Sequence, residues 1–224
     1  MTLLREIQML LERTYAPVPI NLESCLIGES RCAVLNQLAG ETAAHLAPRG
    51  RTFLRQSGDS LYVAIFYSKP VIAELEANDP RQALNERNIS ALITFIEDIA
   101  HGVQAALLFH EGERAIESEE YARNLETQAR VDTYLVLNKF SHLLCGKGKI
   151  PRSVGIWLRR QLFDDSHRRF ANPRLRARYG AAQRCALSFL RHLRRLPLTD
   201  RHEVLREFRA LSWPGKLAFV RSQA

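Results

Sequence analysis

At 224 residues, with 46% hydrophobic and 25% charged side chains, the chain is long enough to bury a substantial core and too apolar to be disordered throughout. Residues 146–224 hold 19 basic and five acidic side chains, a net +14, whereas residues 1–145 hold 13 basic and 19 acidic. So lopsided a split points to an anionic partner for the C-terminal segment, or to docking of one segment on the other.

In chain order, Leu3, Leu4, Ile7, Leu10 and Leu11 recur at helical spacing, and Pro17 and Pro19 close that helix. Arg5, Glu6 and Glu12 interrupt any apolar leader core, so the N-terminus is not expected to be a signal peptide. A second helix is predicted over 29–38, ended by Gly40, followed by a loop around Pro48 and Gly50. The period then changes. Residues 51–56 and 61–67, the second arm rich in β-branched and aromatic side chains, flank Ser57-Gly58-Asp59-Ser60 and predict a β-hairpin. A lone hairpin is marginal in water, so it must pack on helices or gain a further strand. Pro70 suits the first turn of a short helix over 71–77.

Asn88 is placed to cap a long helix over 89–109, whose apolar residues occupy most of the circumference and leave Ser90, Thr94, Glu97, Asp98, His101 and Gln104 as a polar strip. A helix this apolar belongs at the centre. A second long helix, over 118–145, follows an acidic link and should lie antiparallel to the first. Gly146-Lys147-Gly148-Lys149 breaks it as an interhelical glycine stop, lacking the spacing of a phosphate-cradling loop. Pro151 restarts a helix to Phe163. Pro173 opens an amphipathic helix to 196, in which Leu175, Tyr179, Ala182, Ala186, Phe189 and Leu193 form a heptad-like seam. Asp200 with Glu203 resembles a capping box for a last helix to Leu211, which Trp213-Pro214-Gly215 ends. No apolar run is long enough to be expected to cross a membrane.

These elements predict a mainly α fold: a helical bundle around a central antiparallel pair, about 89–109 and 118–145, with one β-hairpin at about 51–67. Residues 1–145 form a mildly acidic helical region carrying the hairpin. Residues 146–224 form a strongly basic helical region, expected to pack on the first as one unit.

On the helix that starts at Pro173, Arg176, Arg184, Arg191, Arg194 and Arg195 cluster opposite the seam. Lys147, Lys149, Arg152, Arg159 and Arg160 precede them, as do Arg168 and Arg169. Many cations presented together are what phosphate binding requires, since displaced counterions supply much of the affinity. Arginine also suits bidentate phosphate contacts better than lysine, although a GC-rich genome yields the same 27 Arg to five Lys through its codons. The aromatics of this segment fall at apolar helical positions and belong to the core before they are stacking platforms. No helix-turn-helix spacing or base-reading pattern emerges.

Asp98 and His101, with Glu97 beside them and Glu126, Asp132 and His142 on the next helix, have part of the i, i+3 pattern of carboxylate-bridged metal bundles, but only once. Asp132 is the odd residue. Its helical phase sets it among Tyr121, Leu125, Ala129 and Leu143, where a carboxylate must be paired. An Arg or Tyr partner is expected. The four cysteines form no C-x-x-C pair and are expected to be reduced, buried small hydrophobes.

No motif of a hydrolase, dinucleotide fold or zinc site is present, and no catalytic residue, metal or cofactor is assigned. The pattern favours a non-enzymatic, cytoplasmic binding protein contacting a polyanion, nucleic acid first, through its basic C-terminal helices, without membrane association. The alternatives are a protein-interaction or regulatory subunit, with the Leu175–Leu193 seam meeting a partner or a second copy, and a helical-bundle enzyme with a carboxylate/His site.

Overall fold

Two long helices set the architecture, and capping chemistry fixes where they stop. The computed structural model describes residues 1–39, 49–146, 149–164 and 171–223. Among these, the helices are α1 (Leu3–Thr14), α2 (Glu29–Leu38), α3 (Lys69–Ala77), α4 (Ile89–His110) and α5 (Glu119–Leu144). The basic segment adds α6 (Arg152–Phe163), α7 (Pro173–Arg195), α8 (Leu198–Ala210) and α9 (Trp213–Ser222). A 3-10 turn, Leu22–Cys25, leads into β1 (Leu26–Ile27), and the hairpin arms are β2 (Gly50–Ser57) and β3 (Ser60–Tyr67). The fold is mainly helical around the α4–α5 pair, with one small sheet, as the patterning predicts.

At the start of α5 the Ser118 hydroxyl accepts from the Tyr121 amide at 3.0 Å, and Glu119 and Glu120 sit where the helix dipole favours negative charge. At its end Gly146 turns into the left-handed region at φ +67, which a glycine reaches without a Cβ penalty. Asn88 is different from the expectation. It stands at the N-cap position of α4 without capping it: its buried side chain donates to the carbonyls of Asn78 and Ala83 and tethers the preceding loop.

The hairpin gains the further strand it needs. The sheet order is β1-β3-β2, with β1 parallel to β3 through Leu26 and Ile27. Its two β residues lie in a stretch with no alternating pattern, so no strand is predicted there. The sheet seats on α4, where β2 comes so close that a Cβ on Gly50 would run into the side chains of Asp98 and Thr94.

Two boundaries in the basic segment differ from expectation. Leu198 already belongs to α8, so Asp200 sits inside the helix, where it accepts from its neighbour Thr199 rather than forming a capping box. Trp213-Pro214-Gly215 begins a helix instead of ending one. Ser212 caps α9, accepting from the Gly215 amide, and Pro214 lies in the first turn, where its missing N–H costs nothing.

Five of the six residues of the heptad-like seam of α7, all but the half-buried Tyr179, are buried within the chain's own core, against α5 and α9. Phe189 stacks on Phe208 of α8 with ring centroids 3.7 Å apart, and Phe219 of α9 meets both edge-on. Helix α4 is long and apolar enough to cross a membrane by composition, but most of it is covered by the rest of the chain. Cys32 and Cys185 are buried as expected, Cys25 is half-buried, and Cys145 is exposed, contrary to the expectation.

Leu193 is 4% exposed and closes the C-terminal end of the seam. Leu193→Ala is expected to destabilise the fold by about 2–5 kcal/mol, read from denaturant unfolding. A loss below about 1 kcal/mol would place the seam outside the cooperative core.

Candidate functional site

Three groups of polar residues carry the chemistry of this fold. The deepest centres on Asp132, which has no exposed surface. The hydroxyl of Tyr15, the residue after α1, donates to its Oδ1 in a short hydrogen bond. Gln128 Nε2, one turn earlier on α5, reaches the same oxygen at 3.1 Å, and Gln104 Nε2 of α4 reaches Oδ2 at 3.0 Å. Gln128 then turns its Oε1 to the Lys216 ammonium of α9 at 2.9 Å, so one amide lies between the two buried charges. Lys216 is 1% exposed, with its Nζ 5.1 Å from the centre of the Phe208 ring.

Burial dominates the protonation of both ends. It pushes the Asp132 carboxyl up to about 6, against the hydrogen bonds from Tyr15, Gln128 and Gln104. It also pulls the Lys216 ammonium down to about 7, against the attraction of Asp132. The hydroxyl partner expected for Asp132 is Tyr15. Leu143, placed beside Asp132 by helical phase, is instead exposed.

The second group lies on the polar strip of α4, which is not solvated as amphipathicity suggests. Glu97 pairs with Arg130 at 2.6 Å and His101 lies 3.6 Å from Glu126, which shows α4 and α5 running in opposite directions. Arg130 also donates to the Leu162 carbonyl of α6. The Thr52 hydroxyl of β2 covers Asp98, bonding Oδ1 at 2.9 Å. Burial pushes Asp98 up to about 7. Burial alone would lower His101, but Glu126, Asp98 and Glu97 outweigh it and hold the imidazole up at about 9. Glu126 stays low because His101 and Arg130 outweigh its burial, and the Tyr179 hydroxyl of α7 is held to it. His142 is exposed and joins neither group. Among the described residues, no three His, Cys, Asp or Glu side chains converge to hold a metal ion.

The third group is the set of cations on the basic helices. Arg176, Arg184, Arg191, Arg194 and Arg195 of α7 are exposed, as are Lys149, Arg152 and Arg160; Arg159 is half-buried. Lys147, Arg168 and Arg169 lie outside the described residues. Other bases of this segment face the acidic part. Arg178 grips Glu119 with Nη2 at 2.5 Å, Arg174 joins it at 3.5 Å, and Arg209 clasps both oxygens of Glu111. Among the described residues, no carboxylate lies within ion-pair distance of Arg184, Arg191, Arg194 or Arg195. The basic segment thus divides in two: three arginines dock on acids, and a row on α7 faces outward.

Lys216, Tyr15, Gln104 and Gln128 were not singled out by the sequence. Lys216 lies beyond a Trp-Pro-Gly that looked like a terminator, and glutamine gives no signal of burial until its partner is known.

Lys216 also sets a pH dependence. The folded chain releases this proton near pH 7 and the unfolded chain near pH 10.5, so between them the unfolded state binds more protons. The penalty of burying the ammonium is full below pH 7 and fades as pH rises toward 10.5. Lys216→Met removes that slope. The stability of the natural chain relative to the variant is expected to rise by on the order of 2–4 kcal/mol from pH 7 to pH 10, measured by urea unfolding. A difference that stays flat would mean that Lys216 is not buried as an ammonium.

Comparison of the chain with protein-family models, with characterised proteins and with solved structures returned no match.

Proposed function

We propose that this protein binds a polyanion, nucleic acid first, along the exposed arginine flank of α7, with the basic residues of α6 and the turn before it contributing. One observation carries the proposal: Arg184, Arg191, Arg194 and Arg195 stand exposed with no carboxylate at ion-pair distance among the described residues, while Arg174, Arg178 and Arg209 of the same segment are matched to acids. Unmatched cations on a rigid helix keep their charge available and lose little freedom on binding. From Arg184 to Arg195 the row spans about 17 Å at 1.5 Å per residue, enough to meet a few successive phosphates.

Base reading has little support. Phe189, Phe208 and Trp213 are buried in the core, and among the described residues no aromatic of the basic segment is exposed. The interaction proposed is therefore electrostatic and tolerant of sequence. The enzyme alternative draws less support, because Glu97 faces Arg130, Glu126 faces His101, and Asp98 takes the Thr52 hydroxyl.

The test is an affinity titration on duplex DNA and on RNA at several salt concentrations. Log affinity should fall against log salt with a slope of about −0.9 per phosphate contact on duplex. Reversing Arg184, Arg191 and Arg195 together to Glu should flatten that slope by roughly 2–3 without altering the unfolding curve. No binding at low salt, or equal binding by both proteins, would overturn the proposal.

A further inference from the structure

A cavity of about 550 Å³ opens between the N-terminal end of α1, α3, α4 and the edge strand β1, on residues that belong to none of the three polar groups above. Its size falls inside the ~300–1,000 Å³ range of small-molecule sites.

The cavity has an apolar floor and a charged mouth. Leu4, Tyr67, Leu75 and Phe95 are buried at its base, with Ile72 half-buried beside them. Tyr67 and Phe95 form an aromatic wall, ring centroids 4.5 Å apart. Of the side chains named on this floor, Tyr67 alone carries a polar group, and its hydroxyl already donates to the Phe95 carbonyl at 2.9 Å. The floor can therefore accept apolar surface, rings above all, and offers a ligand no polar handle.

The mouth carries Glu23, Glu76, Asp79 and Arg81. Asp79 is neutralised by Arg81, which holds both of its oxygens at 2.7–2.9 Å. Glu23 takes the Thr2 hydroxyl, and among the described residues neither Glu23 nor Glu76 has a cation at ion-pair distance. Two unbalanced carboxylates thus border an apolar hollow, in a chain whose net charge is +8.

We propose that this cavity binds a small amphiphile with a ring-sized apolar body and a protonated amine, the body on Tyr67 and Phe95 and the ammonium at Glu23 and Glu76. An anionic ligand with the same body meets the same floor but the wrong charge at the mouth, and that difference is the source of selectivity.

Tryptamine and indole-3-propionate make a matched pair of probes, with one ring system and opposite charge. Binding to the full chain is followed by calorimetry and by saturation-transfer NMR. Tryptamine is expected to bind at least about tenfold more tightly than the propionate at low salt. Glu23→Gln with Glu76→Gln should bring the two probes close to parity, and Ile72→Trp, which fills the hollow, should abolish both. The double Gln variant changes only half-exposed and exposed side chains, so it remains informative if Ile72→Trp fails to fold. Reversing the α7 arginines should leave tryptamine binding unchanged, which separates this site from the polyanion face. Equal affinity for the two probes, no binding of either at millimolar concentration, or a preference untouched by the double variant would overturn the proposal.

Discussion

A carboxylate with no exposed surface must draw its partners from the chain around it, and the rest of this fold is arranged about that requirement at Asp132. An unpaired charge at such depth costs several kcal/mol, so each group that meets it restrains an element. Tyr15 anchors the end of α1, Gln104 sets the facing turn of α4, and Gln128 passes the interaction to Lys216 on α9. Segments more than 110 residues apart in the chain are held by side chains that would be orphaned in any other packing. Apolar surface drives the collapse, but it is not directional. The polar network selects one register among many that would bury similar area.

The same economy governs the surface charge. The basic segment turns Arg174 and Arg178 toward Glu119, Arg209 toward Glu111 and Lys216 inward, all on the side that meets the acidic segment. Its other flank keeps a row of arginines in solvent. These are different roles for one residue type, set by which side of α7 or α8 each side chain occupies. The matched arginines join the two segments. The unmatched row is the part proposed to meet phosphates.

Much of this was legible in the sequence, and the limits have physical causes. Periodicity located the central pair, the hairpin and α7 to within a few residues, because each has a long apolar stripe or an alternating run. The phase of Asp132 within a seam marked it as buried and in need of a hydroxyl or cation. The polar strip of α4 misled: Glu97, Asp98 and Gln104 look solvated by amphipathicity, yet β2, α5 and α6 cover them with matching charges and hydroxyls. Pattern alone does not distinguish a polar face toward water from one toward polar partners. Helix α9 was missed because Trp213-Pro214-Gly215 resembles a stop, whereas Ser212 before it makes the proline a start. β1 is too short to show a period, and the cavity above Tyr67 and Phe95 is assembled from parts of the chain too distant for any local pattern.

The central claim is that Asp132 holds α1 and α9 to the α4–α5 pair, and native-state amide hydrogen exchange on Asp132→Ala tests it most directly. The account predicts faster exchange in the last turn of α1 and throughout α9, together with a loss of about 1–3 kcal/mol in the opening free energy of α4 and α5. Exchange rates in α1 and α9 that match the natural chain would contradict it.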